Sequence, residues 1–247
     1  MHRKILTANI LKIIGIISMV IDHIGLVFFS EIILFRIIGR LAFPIFAFAV
    51  AEGYSKTHSK AKYALRMLIF ALISTYPFLL IAPDGLTLNI MYTFLLSIGV
   101  MYLYDKLQQA KADHNTNSVE PKSIGSQNIL LYSVAFYGAL IFVIAFTITV
   151  PTDYYFYGVF SVLIFYVYRG SFLKQALYFS VITIGFCLVT IVPEQSFMLN
   201  ILQCFSLLSL PILYFYNGKR GKLNLKYLFY IFYPLQFIVL YIVKILI

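Results

Sequence analysis

Nine mostly apolar runs recur along the 247 residues, at approximately 5–29, 32–52, 63–83, 86–104, 128–150, 154–168, 172–192, 197–216 and 227–246. Most approach the roughly 20 residues that a helix needs to cross a ~30 Å hydrocarbon core. The runs are continuous rather than alternating, which excludes a β-barrel, whose strands switch polarity at every residue. With 62% hydrophobic and 11% charged residues, the chain has too little polar surface for a soluble domain. The expected fold is therefore all-α, a polytopic transmembrane bundle of about nine spans in one membrane domain, 1–247. The first run is longer than a signal-peptide core and carries Asp22 and His23, so it is read as a retained span. The sixth is short, which suggests an unusual tilt or a locally thinned crossing.

Charge assigns the sides. Alternate segments hold Arg3 and Lys4; Lys56, Lys60 and Lys62; Lys106, Lys111 and Lys122; Arg169 and Lys174; and Lys219, Arg220, Lys222 and Lys226. The opposite loops hold Glu31, Asp84, Asp153 and Glu194, with no Lys or Arg. Under the positive-inside rule the N-terminus is cytoplasmic and the C-terminus external. The net charge of +10 then reflects orientation and contact with anionic membrane lipids, and nucleic acid is not an expected partner. Cys187 and Cys204 lie in apolar runs and read as packing residues rather than a disulfide framework. The polar stretch 105–127 reads as a flexible cytoplasmic linker between a site-bearing half, 1–104 with spans one to four, and a scaffold half, 128–247 with spans five to nine.

The first half earns that description by its intramembrane charges. An ionisable side chain near mid-membrane costs about 3 kcal/mol on insertion scales, so such residues usually face a protein interior and mark a site. At ~1.5 Å per residue, Asp22 and His23 lie about 10 Å from the outer end of span one, and Arg36 and Arg40 about 6 and 12 Å inside span two. Ser74, Tyr76, Asn89 and Thr93 fall in the same layer. Arg36 and Arg40, four apart on one helix face, repel unless an anion joins them. If Asp22 offsets one, the surplus charge could receive a carboxylate, a phosphate or a developing oxyanion. The plainer alternative is an Asp22–Arg40 pair holding spans together, with Arg36 snorkelling outward. His23 could act as a general base near neutral pH, or simply be a satisfied structural histidine.

A second polar cluster sits at the cytoplasmic face: Glu52, Lys56, His58, Lys62 and Arg66, joined by Lys12 from span one. Its cations suit the phosphates of a cytoplasmic cofactor, although positive-inside anchoring explains the lysines equally well.

The run MVIDHIG (19–25), the stretch FRIIGRLAFPIFAFAVAEGYSKTHSKAKYALRMLIFALISTYPF (35–78) and LNIMYTFLL (88–96) together resemble the TraX family of membrane acetyltransferases. The terminal LFYIFYPLQFIVL (228–240) is similar to that family's closing helix. The elements DH, GR-x-x-FP-x-F, EG-x-x-x-T, Y-x-x-R, S-x-x-PF and LN-x-x-x-T occur in order. The resemblance implies a multi-pass enzyme of the bacterial plasma membrane that moves an acetyl group from acetyl-CoA, its co-substrate, to an amine or hydroxyl. The acceptor would be a pilin-like protein or a surface glycan.

Residue by residue, it carries over Asp22, His23, Arg36, Arg40, Glu52, Arg66 and Asn89. One departure stands out: where the family commonly has Leu-His after the closing YP, this chain has Leu235 and Gln236. The implied mechanism seats the nucleotide on Lys12, Lys56, Lys62 and Arg66, uses His23 as base or transient acetyl carrier, and stabilises the oxyanion with Arg36, Arg40 or Asn89. No metal is expected. The competing classes are a transporter or channel using the same charges, and an assembly factor for a surface appendage without catalytic activity.

Overall fold

The computed structural model describes residues 4–81, 87–116, 122–191, 196–223, 225 and 227–247. Arg3, Asp84, Glu194 and Lys226, used above to assign sides, lie outside these residues, as does the side chain of Lys122. The described chain is helical, with two isolated backbone bridges in place of a sheet.

Several helices begin where a short polar side chain takes a free backbone N–H. Thr7 caps α1 (Ala8–Phe28), Ser59 caps α4 (Lys60–Leu79) and Ser171 caps α8 (Phe172–Val189), each accepting from the amide three residues on. α1 is followed by the short α2 (Ile33–Gly39) and then α3 (Ala42–Lys56). The second apolar run is thus one long span interrupted at Arg40 and Leu41. Glycines let α1 and α2 touch: a Cβ on Gly25 would lie 2.3 Å from Phe35, and one on Gly39 would lie 2.2 Å from the Asp22 side chain. Small residues permit such close backbone approach in membrane bundles, where apolar attraction between helices is weak.

α5 (Ile90–Thr116) and α6 (Lys122–Thr149) form a long pair, and α7 (Tyr155–Val167) lies behind them. Helix therefore occupies most of the stretch expected to be a flexible linker; of 105–127, residues 117–121 lie outside the described part. The Lys- and Gln-rich sequence there favours helix when a neighbouring helix already supplies the nucleus.

α3 and α7 form the centre. α3 buries ten of its 15 residues and α7 eight of its 13. α7 is short because it is a core element, enclosed by α3, α5, α6 and α8. The eighth run is broken into α9 (Phe197–Asn200), a 3-10 helix (Leu202–Leu208) and α10 (Ser209–Tyr214), before α11 (Leu228–Leu246) closes against α1 and α4.

Six helical stretches are long and apolar enough to cross a membrane: Ala8–Phe28, Ile33–Lys56, Ile90–Asn115, Gly125–Thr149, Phe172–Val189 and Leu228–Leu246. Each of the other three expected runs is also helical, through α4, α7 and the broken eighth segment. Nine is accordingly an approximate count.

Candidate functional site

Two cavities lie toward opposite ends of α1, α4 and α11. The larger, about 570 Å³, is lined by Lys12, Lys56, His58, Lys62, Arg66 and Arg220 over a floor that includes Phe46, Phe229 and Tyr230. All the cytoplasmic cluster residues expected at a cofactor site line it except Glu52. That carboxylate turns aside, pairing with Lys56 at 2.5 Å and accepting from the Tyr216 hydroxyl at 2.7 Å. Glu52 thus steers Lys56, whose ammonium also reaches the Gly218 carbonyl at 2.7 Å. Nearby, Asp105 accepts from the Tyr54 and Tyr166 hydroxyls at 3.2 and 2.5 Å, tying α3, α5 and α7 at this end.

The smaller cavity, about 220 Å³, is lined by Asp22, His23, Arg36, Arg40, Asp153 and Tyr154, with Leu26, Phe78 and Phe237 as apolar walls. α1 supplies the first two, α2 supplies Arg36, and the break between α2 and α3 supplies Arg40. Asp22 bonds both guanidiniums: Arg36 Nη1 lies 3.0 Å from Oδ1, and Arg40 Nη2 lies 3.0 and 2.8 Å from Oδ1 and Oδ2. Arg36 does not snorkel away; it shares the carboxylate. Arg40 Nη1 also donates to Gln203 Oε1 at 3.3 Å, and Gln203 Nε2 donates to the Tyr157 hydroxyl at 3.4 Å.

Asp153 changes the charge count. It was expected only as a marker of an outer loop, yet it lines the same cavity as the arginines and brings a second carboxylate near the two guanidiniums. The expected surplus cation is therefore cancelled. Burial pushes the Asp153 carboxyl up to about 6, while Arg40 and Arg36 pull it down and Asp22 pushes it up.

The loop holding Asp153 is fixed on several sides. The Leu88 amide donates to Pro151 O and the Asp153 amide to Leu88 O, both at 2.8 Å. Thr93 Oγ1 donates to Asp153 O at 2.7 Å. Tyr154 and Tyr155 take left-handed backbone angles, φ 64° and 46°, a conformation that costs about 1–3 kcal/mol per non-glycine residue and persists where surroundings over-determine it. Tyr154 is held by stacking on Phe43 at 4.1 Å, with the Arg40 guanidinium 6.0 Å above its ring.

His23 faces this cavity, its ring 4.9 Å from that of Phe237. Its buried Nδ1 has no partner in hydrogen-bonding geometry. Gln236 lies beside it, buried, with both amide atoms equally unmatched. The position at which the chain departs from the family resemblance is therefore next to the candidate base.

Asn89 is not in this constellation. Its Nδ2 donates to Ala71 O at 2.9 Å and its Oδ1 accepts from the Met91 amide at 3.0 Å, so it caps α5 and ties it to α4. Both ends of its amide are engaged between α4 and α5, and it does not line the smaller cavity. Tyr76 is 73% exposed on the outer surface of α4, and Ser74 is buried away from the cavity lining. Conversely, the half expected to be scaffold contributes Asp153, Tyr154 and Gln203. Gln203 is a rare polar residue in its apolar run, 197–216; the fold-back of the Asp153 loop carries no comparable signal.

A family model described as "TraX protein" matches residues 7–244. A relative described as "Probable fimbrial assembly protein FimC, serogroup H1" from Dichelobacter nodosus is 27% identical over 237 residues, 92% of this chain and 91% of the relative. "Uncharacterized protein RP591" from Rickettsia prowazekii (strain Madrid E) is 34% identical over 96 residues, 39% of this chain and 36% of that protein. No solved structure gives a significant match.

Proposed function

The chain belongs to the TraX family, and from that premise we propose that it is a pilus-related integral membrane acetyltransferase working between its two cavities. The observation that carries this reading is their chemistry and spacing. The larger cavity falls within the ~300–1,000 Å³ range of small-molecule sites and presents cations suited to the phosphates of acetyl-CoA. The smaller has room for an acetyl group and the reacting end of an acceptor, and it holds His23 beside two arginines. Lys12 and Asp22 are separated by ten residues of α1, about 15 Å, a span that suits an extended pantetheine arm.

In this mechanism the nucleotide rests on Lys12, Lys62 and Arg66, with Lys56 oriented by Glu52, and the thioester reaches His23. The acceptor N–H or O–H gives its proton to His23 as its nitrogen or oxygen attacks the thioester carbonyl. The C–S bond breaks, and CoA leaves as a thiolate that takes up a proton. Arg36 and Arg40, already fixed by Asp22, stabilise the oxyanion without reorganising. Between the cavities α11 places Phe229, Tyr233 and Phe237 in tilted and edge-to-face contact, with centroids 6.0 and 4.9 Å apart, so passage of the thioester requires these rings to turn. A pilin-like acceptor agrees with the fimbrial relative's description. The basic end is cytoplasmic and the Asp22 end faces outward in the bacterial membrane.

The test is labelled acetyl-CoA incubated with protein reconstituted in vesicles. Acetyl transfer or thioester hydrolysis is expected, falling at least about 100-fold, the usual worth of a general base, in folded His23→Ala. An unchanged rate in that variant would remove the proposal. A second reading, an assembly factor that binds a pilus subunit without chemistry, draws on Gln236 in place of the usual histidine. It predicts pilin binding with no thioester turnover. Uptake of label into vesicles would instead indicate transport.

A further inference from the structure

Cys187, close to the end of α8, and Cys204, in the 3-10 helix, are free thiols with their Sγ atoms 2.7 Å apart. The sequence alone assigned both to packing. The segment around Cys204 has little apolar anchorage: α9 buries none of its residues, and the 3-10 helix buries Ser206 alone. Yet this segment delivers Gln203, the immediate neighbour of Cys204, onto Arg40 and Tyr157. A carboxamide can hold a guanidinium in place only if its own backbone is held.

We propose that Cys187 and Cys204 are a modification site, joined as an intramolecular disulfide that ties the 3-10 helix to α8 and so keeps Gln203 against Arg40. The orientation read from the basic loops puts the end of α8 on the outer side, where disulfides form and persist. Two S–H bonds break and one S–S bond forms. Two electrons and two protons pass to the disulfide of an extracytoplasmic thiol oxidoreductase, which becomes a dithiol. The cross-link fastens a segment that the apolar core does not, and it does so one residue from the contact that matters. Acetyl transfer is not assumed at any step.

The full-length protein tests this directly. Cells are quenched with acid and N-ethylmaleimide, the chain is denatured without reductant, and its intact mass is measured. No maleimide adduct is expected before reduction and two after it; one or two adducts before reduction would overturn the disulfide. The positioning consequence is read from melting temperature. Reduction and Gln203→Ala should each lower it, and the two together should lower it by less than their sum, because both release the same contact. Strictly additive effects would break the link to Arg40.

Discussion

At the Asp22 end, two guanidiniums meet two carboxylates within a wall of helices; at the Lys12 end, five Lys and Arg side chains and a histidine ring a cavity that no described carboxylate lines. The first arrangement spends its charge internally. Arg40 is held by Asp22 and Gln203, and Asp153 lies against it, so the cluster behaves as a rigid, nearly neutral block whose oriented dipoles can answer charge that develops during a reaction. The second lines an opening with cations, of which Lys56 is already paired with Glu52. Under the acyl-transfer proposal, the first end would answer a transition state and the second would hold a ground-state ligand.

Removing Asp22 should break the contrast most severely. Asp22→Ala leaves Arg36 and Arg40 buried together without their shared anion, and loss of about 3–5 kcal/mol is expected, seen as a collapse of the melting temperature in detergent. A melting curve close to that of the parent would mean that the cluster is hydrated rather than sealed.

Asp153 sharpens the comparison through pH. Its folded carboxyl keeps a proton up to about 6, whereas an ordinary aspartate loses it near 3.8. Stability tied to that proton is complete below the unfolded value and is lost as pH rises through about 6, by at most about 3 kcal/mol. The stability difference between the parent and Asp153→Asn should therefore change between pH 4 and 6 and level off above. A difference that stays flat would place Asp153 in water.

At the basic end, effects should be smaller and sensitive to salt. Arg66→Ala is expected to weaken CoA binding about tenfold, or ~1.4 kcal/mol, measured by calorimetry at low ionic strength. The gap should narrow as salt screens the partly exposed cations. Binding indifferent to both the substitution and salt would remove this cavity as the nucleotide site.

Much of this was legible in the sequence because lipid enforces simple rules. Helix is the only open-chain solution to backbone hydrogen bonding in hydrocarbon, so every apolar run became helical, and the rarity of intramembrane charge pointed to Asp22, His23, Arg36 and Arg40. Proximity across the chain was not legible. Asp153 looked like a loop marker because nothing local shows that Leu88 and Thr93 fold its backbone inward. Asn89 looked catalytic because depth counting gives the level of a residue but not its direction, and its amide is turned to α4 and its own helix. The linker looked flexible because its composition is polar, while the helices on either side continue into it.

The ring column of Phe229, Tyr233 and Phe237 has a consequence for the cell as well as for the reaction. A protein with water-accessible hollows toward both faces of a bilayer risks becoming a leak, because only the material between them sustains the ion gradients. Three aromatic side chains on α11, in tilted and edge-to-face contact, stand between the two hollows, Phe229 lining one and Phe237 the other. Under the acyl-transfer proposal, any motion admitting a thioester must be brief and must be plugged by the traveller itself, which makes occupancy the condition for opening.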